Sequence, residues 1–237
     1  MLPVSAQLAL VTFVGVIAVV ACAPAGEPRR VDDDARAPGA VWSLPTPAEP
    51  APDSLEEAID ARRSVREFRD DPLSEVEVGQ LVWAAQGITD PSGKRAAPSA
   101  GATYPLEVYV VSAEGVARYR PGSHSLVVVD GADRRRALAA AALGQQAVAD
   151  APVVLVLTGV VERTAVRYGD RAERYVLLEA GHAAQNVLLQ AAVLDLAAVP
   201  IGAFDDDRLV RILDLPAGER PLYLVAVGHP APRAPGR

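Results

Sequence analysis

Arg62-Arg63-Ser64-Val65-Arg66-Glu67-Phe68 places three guanidinium groups and one hydroxyl within five residues. The residues before it open a helix. Ser54-Leu55-Glu56-Glu57 has the capping-box pattern, with Ser54 as N-cap and Glu57 three residues on. Leu55, Ala58, Ile59 and Arg62 then fall on adjacent turns, so the arginines sit at the end of a short helix. On a helical backbone Arg62 and Arg66, four apart, share a face. Guanidinium groups are planar, permanently charged and matched in geometry to phosphate oxygens. In a chain of formal net charge -7 the stretch is an island of opposite sign. Two readings stand at this point: an anion site, or a solvated basic face that complements the dipole at a helix C-terminus.

Downstream, Ser74-Glu75-Val76-Glu77 repeats the capping signature and starts a helix carrying Val78, Leu81, Val82 and Ala85, which stops at Gly87. Asp90 to Arg95 is a turn-rich loop by its Pro and Gly. Pro98-Ser99-Ala100-Gly101-Ala102-Thr103-Tyr104-Pro105 is too small-residued for a core element and leads into a strand, Leu106 to Ser112. Its Ser-Ala-Gly-Ala run lets backbone amides approach a flat ligand, and it reads equally as a plain loop. Gly115 and Pro121-Gly122 punctuate two more strands, Val116 to Tyr119 and Ser125 to Val129, which predicts an antiparallel meander. Asp133 is the expected cap of a helix reaching about Leu143, and a second short helix covers Gln145 to Ala149.

Val153-Val154-Leu155-Val156-Leu157-Thr158 is a continuous apolar run, expected as a central strand buried on both faces. A long helix is expected from about Asp170 to Leu196, close to 40 Å at about 1.5 Å per residue. It is apolar around much of its circumference, so it is buried, within the domain or against a second subunit. Pro200-Ile201-Gly202-Ala203-Phe204-Asp205 reads as a sharp loop, followed by a short helix from Asp206 to Leu213 and a last strand, Leu222 to Val227, closed by Gly228. Strands and helices do not alternate strictly, which disfavours a doubly wound sheet. No GxGxxG follows the first strand, and no P-loop, GxSxG or HExxH is present.

With 30 acidic against 23 basic residues, a broad nucleic-acid surface is excluded, and any nucleotide contact is local, as at a cofactor phosphate. Aromatics make up 5% of the 237 residues, so the core is packed with aliphatic side chains. One cysteine, Cys22, allows no intramolecular disulfide and no cysteine-based zinc site. His124, His182 and His229 lack metal-ligand spacing and are assigned structural or surface roles, with no metal expected.

Leu8 to Ala23 is an uncharged apolar run, short for a bilayer span of roughly 20 residues and suited to a signal-peptide core. Its end, Val19-Val20-Ala21-Cys22, resembles the bacterial lipobox, although no Lys or Arg precedes it. Lipidation of Cys22 and an uncleaved hydrophobic anchor are the two readings; both attach the protein to a membrane outside the cytoplasm. Residues 23–52 are rich in Pro, Ala, Asp and Arg and read as a spacer, extended by Pro45, Pro47, Pro50 and Pro52. Trp42 and Leu44 are its only bulky apolar groups; a plain linker is expected, with docking on the domain the alternative. The domain then covers 53–230 and a tail 231–237.

Three stretches in this order, Arg62–Arg66, Pro98–Pro105 and Pro200–Phe204, resemble the FMN-dependent nitroreductase family. The resemblance implies an α+β fold with a central, mainly antiparallel sheet flanked by helices, a long buried core helix and an intertwined homodimer. It also implies an FMN-dependent oxidoreductase acting on a small-molecule or peptide substrate, with hydride moving to or from flavin N5. Arg62, Arg63, Ser64 and Arg66 are then expected at the phosphate, ribityl chain and pyrimidine edge, with Arg66 nearest the ring. Pro98, Ser99 and Ala100 are expected against the isoalloxazine, commonly across a subunit interface; many members carry an asparagine where this chain has Ala102. Pro200, Ile201, Gly202 and Ala203 are expected to present a backbone N–H to N5, with Gly202 the donor, and Arg233 to close the phosphate site.

Pro98–Pro105 and Glu179-Ala180-Gly181-His182-Ala183-Ala184-Gln185-Asn186 are similar in wording to the SagB/ThcOx-like branch, the azoline dehydrogenases of thiazole/oxazole-modified peptide biosynthesis. That branch is expected to use a Lys-Tyr pair, and Arg167-Tyr168 occupies its place. A guanidinium does not deprotonate in the working range, which leaves Tyr168 as the acid/base candidate, or as a packing residue beside the helix. His182, Gln185 and Asn186 are assigned helix-packing hydrogen bonds. A flavin-binding protein without turnover is the alternative function.

Overall fold

The computed structural model describes residues 37–47 and 54–232. The apolar run 8–23, Cys22 and Arg233 lie outside them. The first elements are β1 (Val41–Ser43), α1 (Leu55–Ala61) and α2 (Glu75–Gln86), then the meander β2 (Leu106–Ser112), β3 (Gly115–Arg120) and β4 (Ser125–Asp130). Two short helices, α3 (Arg135–Ala141) and α4 (Gln146–Asp150), lead into β5 (Val153–Val160). The chain ends with α5 (Val161–Tyr168), α6 (Ala172–Val193), β6 (Ala197–Ile201), α7 (Asp206–Leu213) and β7 (Glu219–Gly228). The seven strands form one sheet in the order β1-β4-β3-β2-β5-β7-β6, with every neighbouring pair antiparallel.

Alternate residues of the central strands feed two cores, as the two-residue strand period requires. Val153, Leu155 and Leu157 of β5 join Leu106, Val108, Val110, Val225 and Val227 in the core beneath α2 and α6. Val154 and Val156 join Tyr109, Val111, Leu224 and Ala226 in the core beneath α3, α4 and α7. A strand covered on both faces has no polar side, which is why its sequence is unbroken Val and Leu. α6 crosses the first face with Val176, Ala180, Ala183, Ala184, Val187 and Ala191 inward, and small residues let it approach closely. The Asn186 amide donates to the Ala84 and Ala96 carbonyls, tying α6 to the end of α2 and the loop beyond it.

Both capping boxes form, at Ser54/Glu57 and Ser74/Glu77. The strands of the meander and α7 fall where periodicity put them, but several expectations are corrected. α1 ends at Ala61, so Arg62 to Phe68 is not helical and Arg62 and Arg66 share no helix face. Asp133 is not the cap of α3; its carboxylate accepts from the backbone and guanidinium of Arg135, and Arg134 holds the cap position. That helix stops at Ala141, because Leu143 and Gly144 turn left-handed at φ +59° and +73°.

The long helix is 22 residues, about 33 Å, preceded by a separate helix, α5, that periodicity missed. Gly169, at φ +52° and ψ -132°, breaks the two apart. Pro200 and Ile201 belong to β6 rather than to a loop. Proline is tolerated there because β6 is the last strand of the sheet and pairs at Pro200 with β7 alone.

Residues 37–47 dock on the domain. β1 pairs antiparallel with β4, setting Trp42 opposite Leu126, and Leu44 is buried. Leu44 N–H donates to the His124 carbonyl at 2.9 Å, and the His124 ring bridges the Tyr119 hydroxyl and the Pro45 carbonyl at 2.8 and 2.9 Å. A neutral ring with its proton on Nε2 donates to Pro45 and accepts from Tyr119. Burial pushes the His124 pKa below its ordinary value, opposed by the Pro45 hydrogen bond. The histidine clasp and the buried leucine therefore convert the end of the spacer into part of the sheet edge.

Candidate active site

The arginine stretch is extended backbone laid along the outer edge of β6. Ser64 forms a parallel bridge with Ala198, and Val65 N–H donates to the Ala198 carbonyl at 3.0 Å. Further on, Phe68 bridges Pro230 and Arg69 N–H donates to the His229 carbonyl, so the segment is pinned at both ends. Arg63 turns its guanidinium onto the carbonyls of Asp60 and Arg62, at 2.6 and 2.8 Å, and thereby caps α1. Among the described residues, Arg62 and Arg66 make no side-chain hydrogen bond or ion pair. Two cations held on a fixed backbone without side-chain partners leave local positive charge on this edge.

Pro200, Ile201, Gly202 and Ala203 continue the strand that Ser64 and Val65 flank. Four residues of strand, about 13 Å, separate Ala198 from Gly202. Gly202 is exposed and borders a cavity of about 250 Å³ with Val161, Leu177, Phe204 and Arg220. A methyl group on Gly202 would meet only the Tyr223 ring, at 3.7 Å.

Pro98, Ser99 and Ala100 line a different cavity, of about 290 Å³, with Tyr175, Leu178, Glu179 and His182 of α6. The loop is tightly wound. Gly101, Ala102 and Tyr104 all take positive φ, and Ser99 Oγ accepts from Tyr104 N–H at 2.9 Å. Arg167 and Tyr168 pack against its crest, and a methyl on Gly101 would come within 2.8 Å of both the Arg167 Cδ and the Tyr168 hydroxyl. Tyr168 also stacks edge-on against Tyr175, with ring centroids 5.0 Å apart. Tyr168 thus lies at this loop, as both of its sequence readings allow.

Strand register explains why both loops open at one end of the sheet. Leu106, just after the Pro98–Pro105 loop, pairs with Gly159 near the C-terminal end of β5. Ile201 pairs with Leu224, which in turn pairs with Val156 of the same strand. α6 runs past both cavities, presenting half-exposed Leu177 to one and Leu178 to the other.

Sequence reading gave Glu179 no role of its own, only a place at the head of the Glu179–Asn186 stretch. It is 3% exposed, and burial raises its pKa to about 7, opposed by hydrogen bonds from Ser99 and the Ala100 N–H and by the charge of Arg95. The available signal was one carboxylate on the inward stripe of α6, three residues after Val176 and four before Ala183. His182 lines the same cavity and is exposed, whereas Asn186 makes the packing bonds expected of it.

An all-antiparallel sheet sandwiched by helices, with a basic stretch on its edge strand and a small-residue loop over its longest helix, defines an α+β protein. The chain belongs to the nitroreductase family, whose model matches residues 59–229. A Methanocaldococcus jannaschii protein named putative nitroreductase is 46% identical over 181 residues, covering 74% of this chain and 90% of the relative. The crystal structure of a putative nitroreductase from Ralstonia eutropha superposes with a TM-score of 0.75 at 28% identity, covering 86% of this chain and 99% of that one. The NADPH:FMN oxidoreductase of Vibrio harveyi, solved with NAD+, shares the fold at 22% identity and a TM-score of 0.58, covering 77% of this chain and 72% of that one.

The two glycines separate loop geometry from open space. Gly101→Ala should destabilise the protein by about 1–2 kcal/mol, because φ +61° is strained for alanine and the methyl strikes Tyr168. Gly202→Ala should stay within about 0.5 kcal/mol of the parent. Denaturant unfolding of both variants checks this; equal stabilities would contradict the described packing of Tyr168 on the loop.

Proposed function

We propose that the chain is an FMN-dependent oxidoreductase whose site is completed by a second copy. The observation that carries the reading is the pinning of Ser64 and Val65 to Ala198 in the strand that leads to Gly202. A phosphomonoester needs charge-assisted donors, and Arg62 and Arg66 are two cations without protein partners among the described residues. The residues fit the cofactor in a second respect, since the space over Gly202 is open and a planar ring can approach its backbone. Bound flavin supplies two-electron acceptor and donor chemistry. The chain's own part is to hold phosphate with Arg62 and Ser64, to leave the Gly202 N–H facing the ring, and to place the Arg66 cation near its pyrimidine edge. A flavin named in the Vibrio harveyi relative agrees with this reading.

Pro98–Ala100 and Gly202 border separate cavities in one chain. Leu55 and Ile59 of α1, and Leu177 and Leu178 of α6, are each more than half exposed. A second copy is the occupant proposed for these apolar side chains, bringing its Pro98–Ala100 loop to the ring held by the first. Within the family, the azoline-dehydrogenase reading rests on the wording of the Pro98–Pro105 and Glu179–Asn186 stretches. Tyr168, beside Gly101, would be its proton-transfer group, and Arg167 would orient the loop through its bond to the Gly101 carbonyl at 3.4 Å.

Purified protein should be yellow and release FMN on denaturation. After reduction by dithionite, the bound flavin should be reoxidised by quinones or nitroaromatics faster than in their absence. Colourless protein that ignores added FMN would reject the cofactor; flavin that no acceptor reoxidises would favour a binding protein without turnover. Membrane attachment through a lipidated Cys22 belongs to the same proposal. A Cys22→Ser variant should leave the membrane fraction, and an unchanged distribution would point to the apolar run as an anchor.

A further inference from the structure

Glu179 is a carboxylate on the inward stripe of α6, enclosed from three sides. The Ser99 hydroxyl and the Ala100 N–H hydrogen-bond to it from the loop, and Arg95 faces it from the segment after α2. Tyr175 and His182, one turn to either side on α6, line the same cavity. Its Oε1 is buried and has no hydrogen-bond partner among the described residues. Arg95 is a diluted counter-ion. It donates to Gln86 Oε1 at 2.8 Å, lies over the Tyr104 ring at 4.6 Å, and feels Glu107 and Arg163 as well as Glu179.

The bonding around Ser99 has a direction. Its oxygen accepts from Tyr104 N–H, so its own proton is free to point at Glu179. Glu179 therefore joins the first turn of the loop to α6, while Tyr104 N–H closes the loop on the same serine. Glu179 borders the same cavity as Ser99 and Ala100, which gives the carboxylate a route to water. A planar ring laid on Ser99 and Ala100 closes that route and removes the solvation that the charged form depends on.

We infer that Glu179 is the positioning residue of the Pro98–Ala100 loop and that it takes up one proton from solvent when FMN covers that loop. The inference rests on the flavin reading above. The proton comes from water and stays on the carboxyl, so no electron moves and no bond other than O–H forms. The protonated carboxyl keeps one oxygen as acceptor for Ser99 and Ala100, and the loop stays in place while the buried charge is lost.

The sign follows from linkage. The free protein holds Glu179 half-protonated near pH 7, and the complex holds it protonated to higher pH. Affinity for FMN is therefore full below pH 7 and falls as pH rises through and above it. The amide introduced by E179Q cannot titrate but presents the same acceptor oxygen. The ratio of wild-type to E179Q affinity should fall by up to about tenfold for each unit by which binding raises the Glu179 pKa.

The experiment is calorimetric titration of the purified full chain, freed of flavin, with FMN in two buffers of different ionisation enthalpy between pH 6 and 9. At pH 8 the FMN phosphate is already dianionic, so proton uptake there reports the protein. Wild type should take up protons at pH 8 and E179Q should not, with their affinities converging below pH 7. Binding without uptake in the wild type, or equal uptake by both proteins, overturns the inference and leaves the flavin site standing. The wild-type proton count holds whether or not E179Q folds. FMN binding to neither protein overturns the flavin reading, and this inference with it.

Discussion

The double burial of β5 is the constraint on which the rest of the structure depends. Val153 to Leu157 are at most 3% exposed, and they alternate between two cores that share no side chain. Each fully buried Val or Leu contributes roughly 1.5–3 kcal/mol, against a net stability of about 5–15 kcal/mol for a whole domain. A polar residue in this run would leave a hydrogen-bonding group in one core or the other without water. With β5 fixed, β2 and β7 take register on its two edges, and α6 must cross the face that Leu155 and Leu157 present. The two candidate loops then have little freedom, since one precedes β2 and the other follows β6, and both lie toward the C-terminal end of β5.

Function is placed at the margins of this rigid centre. The arginine stretch uses the edge of β6 that β7 does not cover, so backbone hydrogen bonds hold it while the Arg62 and Arg66 side chains stay free. The Pro98–Ala100 loop is held from beneath by Glu179 and from the side by Arg167 and Tyr168. A buried carboxylate is a costly support compared with an apolar one. Its retention under a loop expected to face a ligand gives it a role beyond packing.

Much of this was legible in the sequence, for identifiable reasons. Capping boxes at Ser54 and Ser74, the meander and the apolar run of β5 are local patterns, and local chemistry settles them. The three stretches that carried the family resemblance were enough to name the fold and the candidate residues. What was missed depends on contacts distant in sequence. β6 is short, alanine-rich and contains Pro200, so it becomes a strand only because β7 lies beside it. α5 is polar on most of its surface and is told apart from α6 only by the backbone angle of Gly169. Trp42 and Leu44 looked like linker residues because the His124 clasp that receives them lies far along the chain, beyond two helices and two strands. Glu179 was hidden for the opposite reason, since helical periodicity marks a stripe as buried without saying which of its members face a loop.

The central claim is that arginines from one chain and the Pro98–Ala100 loop from another complete one flavin site. Complementation tests it most directly. One variant carries Arg62→Ala and Arg66→Ala, the other Gly101→Trp in the loop, and each alone should lose FMN. Co-expressed, half the dimers are mixed, and each mixed dimer has one intact site if the halves come from different chains. About a quarter of the parent flavin content should then return. No recovery, with mixed dimers present, would show that both halves of each site lie within one chain and would contradict this account.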